Sequence, residues 1–241
     1  MKPVESPCPG YTIGREDLDL KEEQKRTLET PHLKAPLILK LMFITFDLLY
    51  GKKCTLPKVK VLEILARYPY WAWENGAYLR ITKLYARPEK VNKEKLEHLL
   101  ELLDYGRDAQ DNEQFHLLLL EDIIHQKGIK LGWFRHYFLP RFMALNYYYL
   151  SRLIYFINPA WSFFMNAAFE SHAEHEYMKM SKEHPEWDDE PVDSVFFKKY
   201  PRQKTLGDLI RRIGLDERDH MNHSLFELKN YYEGKHRPDN K

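Results

Sequence analysis

At 241 residues and 44% hydrophobic, the chain is long enough for one sizeable core, and 37 Lys plus Arg against 36 Asp plus Glu leaves no global field to recruit nucleic acid or another polyanion. Two cysteines, Cys8 and Cys54, exclude a disulfide framework and fit a reducing compartment. Met1 to Arg26 is polar and charged, without the apolar core of a secretion signal, and the longest uncharged apolar run, Leu153 to Phe169, is short for a membrane span and broken by Asn158-Pro159.

Residues 1–31 read as a polar arm rich in Pro, Glu and Lys. A helix is expected over 36–50, where Leu37, Ile38, Leu41, Met42, Ile44, Leu48 and Leu49 form a broad apolar stripe that Gly51 ends. Pro57 suits the first turn of a second helix, which runs past Trp73 towards Tyr85, holds Glu63 in its most apolar stretch, is expected to kink at Pro69 and to stop at Pro88. Asn92 caps a short charged helix over 93–103, which Asp104-Tyr105-Gly106 should break. The next helix, about 108–126, carries Glu113 and His116. An aromatic helix over 133–157, with Arg135, Arg141 and Arg152 and an expected kink at Pro140, precedes one that starts at Asn158-Pro159 and holds Glu170. Residues 183–203 read as loop, and a last helix, about 205–232, carries Glu217 and His220.

Glu113-x-x-His116 and Glu217-x-x-His220 repeat one pattern. Residues three apart share a helix face, so each tetrad offers a carboxylate and an imidazole to the same point. Bundles that hold two iron or manganese ions use two such helices and take a single glutamate from each of two others. Glu63 and Glu170 supply those, and the four glutamates follow one another at intervals of roughly fifty residues, enough for a helix, a crossing and a return. Any one of them alone reads as a solvated helix residue, and Glu63 beside Arg67 as half of an ion pair. As a set they read as a metal site, because four carboxylates converging in a bundle core repel one another unless cations lie between them. Oxygen and imidazole donors without nearby cysteine suit Fe or Mn rather than a thiolate zinc site. His116 and His220 either ligate the metal or hold the ligands in place.

The motifs resemble those of the membrane-bound di-iron quinol oxidases, the alternative oxidase and plastid terminal oxidase (plastoquinol oxidase) family. Val61-Leu62-Glu63-Ile64-Leu65-Ala66-Arg67-Tyr68-Pro69-Tyr70 is similar to the first-ligand segment, Asn112-Glu113 with His116-Leu117 to the second, Glu170-Ser171-His172-Ala173 with Tyr177 to the third, and Asp216-Glu217 with His220 to the fourth. The likeness runs from about residue 36 to 232. Leu28-Glu29-Thr30 spells another form of the first motif, but Pro31 follows at once and no apolar helix surrounds it. Two positions depart from the family pattern: Lys58 stands where an Arg is usual, and Glu176 where a Thr often stands.

The resemblance implies an all-α, ferritin-like four-helix bundle with a di-iron carboxylate centre, and two amphipathic helices on the membrane surface. It implies two Fe ions held by Glu63, Glu113, Glu170 and Glu217 with His116 and His220, and a quinol:oxygen oxidoreductase that uses ubiquinol or plastoquinol and reduces O2 to water. A quinol pocket would involve Lys58, Leu62, His172 and Glu176. Tyr177, two helical turns beyond Glu170, would supply an electron and a proton. Asn112 and Asp216, each preceding a ligand, would orient the groups beside them. The domain is expected over 32–233, with a tail over 234–241, in a homodimer lying in one leaflet of a bacterial inner, thylakoid or organellar inner membrane. The nearest rivals are a quinone-biosynthesis hydroxylase and a non-respiratory iron-binding bundle.

Overall fold

The computed structural model describes residues 4–15, 17–86 and 92–235. Its helices are α1 (Leu20–Glu29), α2 (Leu37–Tyr50), α3 (Leu56–Tyr85), α4 (Lys93–Gln126), α5 (Leu139–Ile157), α6 (Pro159–Glu183) and α7 (Leu206–Tyr232). Among the described residues there is no strand beyond the single bridge of Pro191 and Thr205. The four-helix bundle is made of α3, α4, α6 and α7, with α3 packed most closely on α4 and α6 on α7.

Each bundle helix is started by a side-chain cap that satisfies otherwise unpaired amides. Thr55 accepts from Lys58 N, Asn92 from Lys95 N, Asn158 from Ala160 N and Thr205 from Asp208 N. Pro57 and Pro159 sit in first turns, where a missing N–H costs nothing. Pro69 lies buried inside α3, which continues through it to Tyr85; Pro88 lies outside the described residues.

Two expectations need correction. The break at Asp104-Tyr105-Gly106 does not occur: α4 is one helix from Lys93 to Gln126. Gly106 is there for packing, since a Cβ at this position would stand 3.1 Å from the Tyr70 carbonyl oxygen of α3. The aromatic helix does not begin as a plain α-helix; Phe134–Phe138 is a π-helical turn that leads into α5, which widens the backbone just ahead of Pro140. The polar arm has a helix of its own. It contains α1, capped by Asp19, and it packs on α6 and α7: Thr12 hydrogen-bonds Asp219, and Thr27 hydrogen-bonds Glu174. Residues 183–203 hold two short 3-10 turns, Pro185–Asp188 and Val195–Lys198. Both cysteines are buried free thiols.

Outside the bundle, α5 leans on α3 through Ala144, Tyr147, Ser151 and Tyr155. The approach is close at Gly76, where a Cβ would meet the Tyr155 ring at 2.0 Å. The opposite face of α5 exposes Phe142, Leu145, Tyr149, Leu153 and Phe156, and α2 exposes Leu37, Ile38, Leu41, Ile44 and Leu48. No helix among the described residues is long and apolar enough to cross a membrane.

Candidate metal centre

Glu63 on α3, Glu113 and His116 on α4, Glu170 on α6, and Glu217 and His220 on α7 meet in the middle of the bundle, none more than 2% exposed. Their donor atoms form two overlapping groups, Glu63, Glu113, His116 and Glu217 in one, and Glu113, Glu170, Glu217 and His220 in the other. Glu113 and Glu217 belong to both, so they would be shared between two cations, with Glu63 and Glu170 each contributing to one. His116 Nδ1 lies 3.4 Å from Glu63 Oε2 and 3.2 Å from Glu217 Oε1. On the other side His220 Nδ1 lies 2.8 Å from Glu113 Oε1 and 3.6 Å from Glu217 Oε2.

The donor set fits metal ions. Both oxygens of Glu113 and Glu217, one oxygen each of Glu63 and Glu170, and Nδ1 of both histidines are buried without a hydrogen-bond partner. Buried charges left in this state are costly, and cations between them supply the missing partners. In the protein alone, protons take that place. Burial, with Glu217 and Glu113 nearby, pushes the Glu63 carboxyl well above its usual range, and Glu170 is raised for the same reasons. Burial also works to raise Glu113, but His220 and His116 outweigh it and hold it low. Burial opposes the charge on both imidazoles, yet the surrounding groups raise both well above 6.5: Tyr200, Asp216 and the carboxylates for His116, and Glu113 and Glu217 for His220.

The groups next to the donors orient them. Asp216 Oδ2 lies 3.1 Å from His116 Nε2 and accepts from the Tyr200 hydroxyl at 2.5 Å, while Arg212 pairs with Oδ1. Burial would raise Asp216, but Arg212 and His116 hold it below the ordinary carboxylate range. Asn112 reaches the same carboxylate at 3.5 Å. Tyr177, fully buried on α6, donates its hydroxyl to Glu63 Oε1. Burial, followed by Glu63 and Glu217, raises the Tyr177 phenol well above 10, so it stays protonated.

The remaining expected residues lie where α2 and α6 face α3, apart from the donor cluster. Leu62 is buried in the core beside Glu63. Lys58 is buried and committed, its Nζ 2.6 Å from Asp47 Oδ1 of α2 and 2.8 Å from the Gly51 carbonyl. His172 packs its ring on Phe43 of α2 at 4.1 Å and lies 5.9 Å from His32. Burial and the nearby Lys58 push the His172 imidazole down to about 4. Glu176 is half-buried beside Cys54, whose thiol is raised by burial and by Glu176. None of these four lines the groove of about 680 Å³ on the other side of α3, which is walled by Lys60, Arg67, Trp71, Leu118, Tyr137 and Tyr148 among others. Glu29 of the alternative motif is exposed at the end of α1 and belongs to neither donor group.

Sequence reasoning missed two residues that touch the cluster or its supports. Tyr70, one position past Pro69 in the first motif, donates to Glu170 Oε1 at 2.7 Å. Its spacing, seven residues after Glu63, mirrors that of Tyr177 after Glu170 and was a usable signal. Tyr200 lies in the segment between α6 and α7, where no periodicity marks it.

A family model for alternative oxidase matches residues 17–227. No curated protein gives a significant match to the chain. The match takes in the glutamate-bearing stretches of all four bundle helices, and on that extent the chain belongs to the alternative oxidase family, the di-iron oxidoreductases that oxidise quinols.

Proposed function

We propose that this protein is a terminal oxidase that takes electrons from ubiquinol or plastoquinol and reduces O2 to water, with Glu63, Glu113, Glu170, Glu217, His116 and His220 as the ligands of its two irons. The observation that carries this reading is the pair of donor groups sharing Glu113 and Glu217. Bound there, two irons supply the redox chemistry of O2 reduction. The chain's own part is to exclude water, to hold each imidazole with one nitrogen turned inward, and to keep a neutral phenol, Tyr177, on Glu63 as a source of an electron and a proton.

Quinol reaches the centre, in this reading, from the side of α2. Phe43 of α2 touches His172, two residues from the ligand Glu170, and Leu62 adjoins the ligand Glu63. Lys58, through Asp47 and the Gly51 carbonyl, ties α2 to the start of α3 and so shapes this entrance; Glu176 supplies its carboxylate edge. A neutral His172 can accept a hydrogen bond from a quinol hydroxyl.

The apolar faces of α2 and α5 support attachment to one leaflet, since long-tailed quinols stay in the hydrocarbon layer and the pocket must open there. Arg135, Arg141 and Arg152 are placed to reach headgroups. Trp71, Tyr78 and Leu79 of α3 also stand out of the bundle, and a homodimer would cover them.

Oxygen uptake by the iron-loaded protein with ubiquinol or plastoquinol analogues, with analysis of the product, tests the proposal. Quinone and water are expected, and His172→Ala should raise the KM for quinol without loss of iron. A hydroxylated quinone would assign the chain to the rival hydroxylase chemistry.

A further inference from the structure

The groove of about 680 Å³ between α3, α4, the π-helical turn and the first half of α5 lies outside the metal centre and outside the quinol entrance proposed above. Its walls are mostly apolar and aromatic, with Trp71, Leu118, Ala144 and Tyr148 among them, and its size is that of a small-molecule pocket. Three cations, Lys60, Arg67 and Arg141, line it against one carboxylate, Glu121. Lys60 and Glu121 cancel: the buried ammonium pairs with Glu121 and stands 4.4 Å from the Tyr137 ring centroid. Arg67 has no such partner among the described residues. It does not pair with Glu63, one helical turn away; its Nη1 donates to the neutral Gln114 Oε1, and its guanidinium lies 5.7 Å from the Tyr68 ring. The Arg67 Nε is buried without a hydrogen-bond partner among the described residues. A half-buried guanidinium whose neighbours are neutral is a costly arrangement in an apolar groove, and an anion relieves it.

We propose that this groove binds a long-chain fatty acid, its carboxylate on Arg67 and its alkyl chain along the aromatic wall of α5. Two features select that ligand. A guanidinium is planar and always charged, so two of its N–H groups match the two oxygens of a carboxylate. The lining also includes Leu145 and Tyr149, more than half exposed on the apolar face of α5, so an alkyl chain in the groove is continuous with a face that already calls for lipid. Arg141, exposed beside them, adds to the field that draws an anion. A quinol is neutral and would leave the Arg67 charge uncompensated. Ile64 and Leu117 line the same groove and adjoin Glu63 and His116 in the chain, so a bound fatty acid braces the two helices that carry these residues and raises the Tm.

The test photolabels the full iron-loaded chain, held in a non-ionic detergent, with a diazirine-bearing stearic acid, and maps the adducts by mass spectrometry of peptides. Adducts are expected on the parts of α3 and α5 that line the groove. Oleate should suppress them at a concentration at least about 10-fold lower than oleyl alcohol does, the scale that hydrogen bonds to a charged group contribute. Arg67→Met, at unchanged helix and iron content, should remove this preference. Equal suppression by oleate and oleyl alcohol, absence of adducts from the groove, or an unchanged preference in Arg67→Met overturns the proposal. The first two outcomes need no variant, so they decide even if Arg67→Met fails to fold. Suppression by oleoyl lysophosphatidylglycerol at lower concentration than by oleate assigns the groove to a membrane lipid and overturns the fatty-acid assignment. A dimer whose groove takes no label assigns it to a second copy and does the same.

Discussion

Asp216 Oδ2 lies 3.1 Å from His116 Nε2, and this one contact decides which nitrogen of the ring faces the glutamates. The carboxylate accepts the Nε2 proton, which leaves the Nδ1 lone pair turned towards Glu63 and Glu217. Asp216→Asn can present an amide to the ring and loses the charge that favours this tautomer. It should weaken iron binding by about 10- to 100-fold, read by competition with a chelator. Parent affinity in this variant would reduce Asp216 to a partner of Arg212.

Under the proposed function, Tyr177 is expected to act in chemistry rather than assembly. Tyr177→Phe keeps the ring and the Cβ that lies beside Gly214, and removes only the hydroxyl on Glu63. Iron should stay bound while quinol-driven turnover falls by about 100-fold, the low end of what a positioned proton donor contributes. Near-normal oxygen uptake would make Tyr177 a packing residue.

The stability of the protein should depend on pH in opposite ways with and without iron. Without iron, Glu63 and Glu170 hold protons well above 4.5, and His116 and His220 well above 6.5. A folded state that keeps protons the unfolded chain releases loses stability as the pH rises, so the metal-free Tm should fall as the pH rises above 6.5. Glu113 and Asp216 have the opposite sign, but being held low they are already ionised in that range and add no slope. Iron needs these ligands deprotonated, so its affinity climbs with pH and the gap between the two Tm values should widen. A gap that stays constant from pH 6.5 upwards would contradict this account of the cluster.

Replacing Leu41 and Leu145 together by Asp should release the protein from membranes while iron stays bound. Both are more than half exposed, on α2 and α5, and neither is near the donor groups. A charge at each site opposes burial of these faces in the headgroup boundary. Partition between vesicle and soluble fractions reads the effect, and membrane binding as firm as the parent's would point to an interface between copies instead.

The helices that meet at the centre were legible because the Glu-x-x-His spacing states a shared face outright, and because glutamates in apolar stretches need a reason. What could not be read was whatever depends on contacts between helices. Gly106 looks like a local break in the sequence, yet it is required by the Tyr70 carbonyl on α3. The helix α1 carries no apolar stripe; it is held by polar groups, Thr27 on Glu174 and Arg218, and Gln24 on the Met178 carbonyl. Lys58 has the charge expected of an entrance residue, but only the fold shows it tied to Asp47. Tyr200 reaches Asp216 from a segment without periodicity, so nothing local announces it.

Iron per chain in the parent and in Glu113→Ala tests the central claim most directly, because Glu113 belongs to both donor groups. Its removal takes an oxygen ligand from each position and leaves His220 facing an empty place. The account predicts two irons per chain in the parent and loss of both in the variant, with helix content retained. Full iron occupancy in Glu113→Ala would contradict it.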